Sequence, residues 1–322
     1  MDFFDTRYFR INKFFLSFIG LWPYQTPFVK LLTQSFAIFG VTIMCAPQIA
    51  YMFKHVDDFD NMFELMPILA GTVICIAKII SLTCNSEMFK GLLQHMQDDW
   101  NNLLTSEETQ ILTHYAEKSR KLMLAYSISV IGFVFCYALL PLTGPVFDII
   151  LPLNETRPRK LPHLADFVIF DQEKYYYALL LILYVGYVVC VSIAVAADIL
   201  YIFLVEHICG MYGILCWAGQ EVTDHSVEVS IAAYDGIWYN ASVKVQKLLL
   251  FLIVRSQKAS QITIAKLYVI NLEGFSNENI GFLLHGIDFT TLTIKKCIDF
   301  CKIFHSRIFS SLSYANNSGV NV

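Results

Sequence analysis

The sequence predicts an all-α fold: a polytopic membrane helical bundle with four strong spans. Three observations carry that prediction. Of the 322 residues, 56% are apolar and only 16% are charged, whereas soluble domains carry about 25% charge. Mean hydropathy is +0.53. The apolar residues also gather into runs that reach the ~20 residues a helix needs to cross hydrocarbon. Backbone in lipid satisfies its own hydrogen bonds only as helices or closed barrels. This composition excludes a disordered chain, collagen and a coiled-coil rod. The net charge of −4 implies no basic face, and so no nucleic-acid partner. Most of the nine cysteines lie in apolar runs, where a thiol behaves as a small hydrophobe rather than as half of a secreted disulfide framework.

Residues 1–28 read as a cytoplasmic, interfacial segment. They begin MDFFDTRYFRINKFFLSFIGLWP, with Asp2 and Asp5 ahead of the first basic residue, which is unlike a signal peptide. Trp22 and Tyr24 are expected near the headgroups. Residues 29–216 form the transmembrane bundle and its loops. The first span covers 29–53, with Pro47 as a candidate bend. The second covers about 62–84 and carries Glu64 and Lys78, which calls for protein rather than lipid around it. The third runs from 122 to about 151. The fourth starts near Tyr176 and continues through LLLILYVGYVVCVSIAVAADILYIFL, with Asp198 marking a cytoplasmic or protein-lined extension. Between spans two and three, Thr105-Ser106-Glu107-Glu108 offers a helix start.

Residues 217–260 read as cytosolic helices. QEVTDHSVEVS looks like a polar turn into a helix, and 243–253 is an apolar helix too short to span. Residues 261–322 form a divergent C-terminal region with an incomplete last span. The N-terminal tail carries Arg7, Arg10, Lys13 and Lys30, while the first loop has only Lys54; the excess places the N-terminus in the cytoplasm. Asn154-Glu155-Thr156 is a glycosylation sequon in a loop that would face outward, and Asn240 and Asn316 open two more.

The chemistry points away from an enzyme and from any cofactor. There is no HExxH, no GxSxG and no phosphate-binding loop. Cys297, Cys301 and His305 share a helical face, but their spacing is not a zinc signature. Glu221, Asp224 and His225 have no nucleophile beside them and read as a polar cap. Aromatics dominate instead, with 26 Phe, 17 Tyr and 4 Trp. With the N-terminus inside, Phe63 and Met66, then Phe133, Tyr137 and Leu140, then Tyr176, Tyr184 and Tyr187 fall on the outer halves of spans two, three and four. Aromatic walls with a few hydroxyls suit a small apolar ligand. Helix packing and interfacial anchoring would use the same residue types.

Two blocks carry a family resemblance. One is Asp198-Ile199-Leu200-Tyr201, continuing to Val205-Glu206-His207-Ile208-Cys209-Gly210-Met211. The other is Gly219-Gln220-Glu221-Val222-Thr223-Asp224-His225-Ser226, followed by Ala232-Ala233-Tyr234, Trp238-Tyr239 and VQKLLLFL from Val245. With Ile19-Gly20-Leu21-Trp22-Pro23, these resemble the insect odorant receptors, especially a large hymenopteran-like subfamily. The resemblance covers roughly residues 1–270. It implies a seven-helix receptor with a cytoplasmic N-terminus in the plasma membrane of olfactory sensory neurons. It also implies an obligate coreceptor, a heterotetrameric cation channel gated by small volatile ligands, and no need for a G protein. Asp224, His225, Tyr234, Trp238, Tyr239, Gln246, Lys247 and Leu250 fall in the part that anchors subunits and gates the pore. The pocket candidates match the family's pocket by topology alone.

The sequence departs from the family in two places. Only seven residues separate Met211 from Gly219, where the family has a cytosolic stretch, a fifth span and most of a sixth. After about Gly274 the usual C-terminal end is missing as well. A misjoined or shortened product is the expectation, with a defective pore. A gustatory-type receptor or a non-conducting assembly partner are the alternatives. A secondary transporter would show an internal repeat, and none is seen.

Overall fold

The computed structural model describes residues 3–143, 161–168, 170–236, 238–264 and 268–272. Seven α-helices organise them: α1 (Arg10–Phe18), α2 (Pro27–Lys54), α3 (Phe59–Cys84), α4 (Ser86–Asn101), α5 (Ser106–Leu139), α6 (Tyr176–Asp235) and α7 (Val243–Ser256). The fold is all-α apart from a minimal antiparallel hairpin of β1 (Thr263–Ile264) and β2 (Tyr268–Val269), in which Thr263 faces Val269. Among the described residues, four helical stretches are long and apolar enough to cross a membrane: Pro27–Lys54, Phe59–Cys84, Ser106–Leu142 and Tyr176–Asp235. Their outward faces carry large apolar side chains such as Leu31, Ile38, Phe39, Val73, Ile128, Phe135 and Leu181. Apolar exposure on that scale is stable against lipid tails and not against water.

The chain divides into two compact units. The first comprises Met1–Asn101 with Glu117–Leu204, and the second Asn102–Ala116 with Val205–Val322. In the first unit the N-terminal segment folds back on itself. Gly20 takes φ 74°, a conformation that other residues avoid. Leu21 N–H donates to the Leu16 carbonyl at 2.9 Å and Gly20 N–H to Ser17 at 3.2 Å, which is the Schellman closure of a helix end. A β-carbon at Gly20 would meet the Thr33 hydroxyl at 2.5 Å and the Gln34 backbone nitrogen at 2.8 Å. The reversal corrects one expectation. Trp22 is only 4% exposed, with ring centroids 5.2 Å from Phe4 and 5.6 Å from Phe9. Tyr24 remains largely exposed, as a headgroup-level residue would be.

Packing between α2 and α6 rests on small residues. A β-carbon at Gly40 would come within 2.7 Å of the Val189 side chain, and one at Gly186 within 2.6 Å of Met44. Glycine at both places lets the two backbones approach, the usual means of helix association in lipid. Helix α2 continues through Pro47.

Two helices differ in extent from the expected spans. Helix α5 starts at Ser106, at the expected helix start, and continues unbroken into the span expected from residue 122. Its start is a capping box: Glu108 N–H donates to the Thr105 hydroxyl at 3.2 Å, and Thr105 N–H donates back to the Glu108 carboxylate at 3.1 Å. It gives way at Pro141 to a short 3-10 turn, Leu140–Leu142, and residues 144–151 of the expected third span lie outside the described residues. The second difference is the polar stretch 220–230, expected as a turn. It lies inside α6, which is continuous for 60 residues. No proline or glycine punctuates it, and its polar side chains pair along the helix: Gln220 with Asp224 at 2.9 Å, and His225 with Glu228 at 2.9 Å. At 1.5 Å per residue α6 is about 90 Å long, roughly three times the thickness of hydrocarbon.

A candidate ligand site at the α5–α6 end

In the first unit, the end of α5 and the start of α6 bring four tyrosines together, and each hydroxyl has a partner. Tyr137 donates to the Pro162 carbonyl at 2.6 Å, Tyr176 to Pro141 at 3.1 Å and Tyr184 to Ala138 at 2.5 Å. Tyr187 lies 2.6 Å from Nδ1 of His163, and its ring is edge-on to Tyr137 with centroids 5.9 Å apart. The hydroxyls land on carbonyls that the helix end and the following segment leave open, which explains why this residue type suits these positions. The other sequence candidates are elsewhere: Phe63 is 75% exposed and Phe133 73%, and Met66 and Leu140 also point outward. The aromatic set therefore divides into an inward group of tyrosines and an outward group that meets lipid.

Residues 161–168 and 170–172 form a strap next to this group. Asp166 N–H donates to the Pro47 carbonyl at 3.0 Å, and its carboxylate pairs with Lys54 at 2.7 Å. Gln172 donates to the Ala165 carbonyl at 2.7 Å. Tyr51, Lys54, His55 and strap residues including Asp166 and Phe167 surround an open hollow of ≈480 Å³, within the size range of small-molecule sites. His163 is 5% exposed, and burial pushes its pKa down to about 4, so it is neutral at physiological pH. Sequence reasoning passed over His163 because it stands in a proline-rich loop with no periodicity to give it a face.

Deeper in the same unit, Lys78 of α3 pairs with Asp198 of α6 at 2.7 Å, and Tyr126 of α5 donates to the other Asp198 oxygen. Asp198 is thus one corner of a node tying three helices, and it does not interrupt α6. The requirement that Lys78 find protein around it is met, whereas Glu64 is exposed.

In the second unit, the residues expected to anchor or gate lie mostly on the surface. Asp224 and His225 are exposed on α6, with Glu228 first and Glu221 second holding the His225 imidazole above its ordinary pKa. Tyr234 and Tyr239 are exposed and Trp238 is half-buried. Gln246 donates to the Tyr239 and Ala241 carbonyls at 2.8 and 3.1 Å, fixing the start of α7 to the preceding turn. Lys247 and Leu250 point outward. Asn154, Asn316, Cys297, Cys301 and His305 lie outside the described residues.

The family profile described as 7tm Odorant receptor matches residues 58–215 and 212–277, more than half of the chain. The chain belongs to the odorant receptor family. Among curated relatives it is 34% identical over 61 residues to odorant receptor 10 of Aedes albopictus, covering 19% of this chain and 16% of that one. It is 35% identical over 83 residues to odorant receptor 85b of Drosophila melanogaster, covering 23% and 21%. It is 31% identical over 111 residues to odorant receptor 30a of the same fly, covering 34% and 27%. The matched stretches thus span no more than about a quarter of these relatives. Two solved structures of the olfactory receptor OR5 from Machilis hrabei are similar, one of them in complex with eugenol. They match at 13% and 12% identity and a TM-score of 0.47 each, over 88% of this chain and 97% and 98% of theirs. As an odorant-receptor family member with four membrane-length helices, the chain is a multi-pass membrane protein of a non-catalytic receptor class.

Proposed function

We propose that this chain is an odorant receptor subunit of the hymenopteran-like subfamily. It binds small, volatile, apolar ligands and gates a cation channel as part of a heterotetramer with an obligate coreceptor, without a G protein. The tyrosine group of α5 and α6, Tyr137, Tyr176, Tyr184 and Tyr187, lines the ligand site, and the outward-facing Phe63, Met66, Phe133 and Leu140 take no part in it. Residues 217–260 serve as the cytosolic anchor, with Asp224, His225, Tyr234, Trp238, Tyr239, Gln246, Lys247 and Leu250 at subunit contacts. The N-terminus is cytoplasmic, and the receptor works in the plasma membrane of olfactory sensory neurons.

The observation that carries the ligand site is the convergence of Tyr137, Tyr176, Tyr184 and Tyr187 on one end of the bundle. A second reading has its own support. The family match falls into two segments that overlap at residues 212–215, the place where we read the sequence as lacking a fifth and most of a sixth span. On that reading the subunit joins its coreceptor and conducts poorly. The test is co-expression with the coreceptor and recording of currents against a broad panel of odorants. Assembly without current is expected from the shortened chain. Strong ligand-dependent currents, absent from coreceptor alone, would overturn the defect and leave the receptor reading standing.

A further inference from the structure

Charge is unevenly placed in the second unit. Residues 236–272 carry Lys244, Lys247, Arg255, Lys258 and Lys266 and no Asp or Glu, in a chain whose net charge is −4. Helix α7 turns Ile253 and Ser256 inward and leaves Leu248 67%, Phe251 73% and Val254 60% exposed. Spacings of three and four put residues 244, 248, 251 and 255 along one helix face, so exposed cations and exposed apolar side chains share a stripe. At its C-terminal end, Phe251, Val254, Arg255 and Lys258 join residues 259–261 around an open hollow of ≈610 Å³. The Ser260 N–H donates to the Ser226 hydroxyl at 2.8 Å, which ties this wall to α6. Arg255 donates one guanidinium N–H to the Lys258 carbonyl at 3.3 Å. Neither its other guanidinium N–H groups nor the Lys258 ammonium has a partner among the described residues.

We propose that this hollow holds an anionic phospholipid of the cytosolic leaflet, with the phosphate between Arg255 and Lys258 and the acyl region against Phe251 and Val254. The proposal rests on the reading of residues 217–260 as cytosolic. The residues assigned above to subunit contacts end at Leu250 and the hollow begins at Phe251, so the two roles use different side chains. At 14 residues α7 is too short to span a membrane. A helix of this kind, with cations beside large exposed apolar groups, is suited to lie in a charged interface. The guanidinium fork matches two phosphate oxygens, and the ammonium adds a point charge. A cation in the last turn of a helix is favoured by the dipole alone, which accounts for Arg255. It does not account for Lys258 beyond the helix end, or for Phe251 and Val254 left bare beside the two charges. A soluble anion would match the charges and gain nothing from those apolar groups, whereas a lipid uses both.

The test is native mass spectrometry of the full chain in detergent, titrated with phosphatidylserine, phosphatidylcholine and soluble glycerophosphoserine. Phosphatidylserine is expected to bind more tightly than phosphatidylcholine by roughly fivefold per cation engaged. Arg255→Gln combined with Lys258→Gln should therefore weaken phosphatidylserine ~25-fold and leave phosphatidylcholine unchanged. Lys30→Gln combined with Lys90→Gln makes the same change in net charge away from the hollow and should alter the preference little. Arg255→Lys combined with Lys258→Arg keeps both charges and should retain the preference, which separates lost charge from lost folding. Phe251→Ser should weaken phosphatidylserine and not glycerophosphoserine. Equal binding of the two lipids, or equal losses from the hollow pair and the distant pair, would overturn the proposal and give this face to a protein partner. Glycerophosphoserine that displaces the lipid at equal concentration would overturn it in favour of a site for free anions. Glycosylation of Asn240 reports the side of the membrane separately. Lost lipid preference with Asn240 unmodified defeats the lipid site alone, whereas a glycan there defeats the cytosolic reading beneath it.

Discussion

Lys78 was visible in the sequence as a charge inside an apolar run, and its partner was not. Asp198 is 120 positions away, and only the packing of α3 against α6 brings the two within 2.7 Å. Taking one charge from a mostly buried pair leaves the other with desolvation and no compensation, a loss of about 3–5 kcal/mol. Taking both for apolar groups of similar volume removes the penalty with the attraction. Lys78→Met and Asp198→Leu are therefore each expected to lower the thermal midpoint of the chain in nanodiscs markedly. The double variant should lie near wild type, a coupling that a double-mutant cycle reads directly. Additive losses would mean that the two side chains act independently. Tyr126 keeps one contact to Asp198 when Lys78 is lost, so Lys78→Met should be the milder of the two single changes. At this scale the sequence disclosed which residue was out of place and left the completing contact to the three-dimensional packing. His163 follows the same rule: it is unusual in neither type nor spacing, and only its burial and its contact with Tyr187 give it meaning.

Helix boundaries were legible where capping chemistry is local. Thr105 and Glu108 stand three positions apart and close the start of α5 as the pattern suggests. The polar run in α6 misled because polarity alone does not end a helix. Breaking it takes glycine, proline or a competing side chain, and residues 220–230 supply ion and amide pairs at helical spacing instead. The close approach of α2 and α6 was not legible, since glycine in a membrane helix has many uses and its neighbour lies far along the chain. It yields a clean prediction. Gly40→Leu should destabilise the chain by about 1–3 kcal/mol through overpacking against Val189, read as a lower unfolding midpoint in detergent. Gly91→Ala on α4, where an added β-carbon meets nothing within 4 Å, should be neutral or stabilising by up to ~1 kcal/mol through helix propensity. Equal losses from both would show that backbone freedom, not contact with Val189, is the reason for glycine at position 40. Adding Val189→Ala to Gly40→Leu should recover part of the loss, because the clash is with that side chain.

The number of membrane-length helices came through the sequence because hydrocarbon thickness imposes one simple requirement on any chain that crosses it. What the apolar runs could not disclose was which aromatic residues turn inward, since lipid and a protein interior favour the same residue types. With four crossings and the cytoplasmic N-terminus proposed above, the side on which every loop lies is fixed. The loops after α2 and before α6 are then outside, and α4, the start of α5 and everything after the crossing part of α6 are inside. Two sequons sit on opposite sides of that scheme: Asn154 before α6, and Asn240 in the turn Trp238–Asn240 ahead of α7. Glycan transfer happens only on the lumenal side, so the two sites report topology independently of any current or ligand. Chain expressed in insect cells should resist alkaline carbonate extraction and shift on glycosidase treatment. Asn154→Gln should abolish the shift, and Asn240→Gln should leave it intact. A glycan at Asn240 would put α7 outside, which requires either an odd number of crossings after a cytoplasmic N-terminus or four crossings after an external one. The anchor role of residues 217–260 would then be impossible, and in the second case Lys54 with the strap would face the cytoplasm. No glycan at either site, with carbonate-resistant chain, would direct the same question to protease protection of the α4 and strap segments, which the four-crossing scheme places on opposite sides of the bilayer.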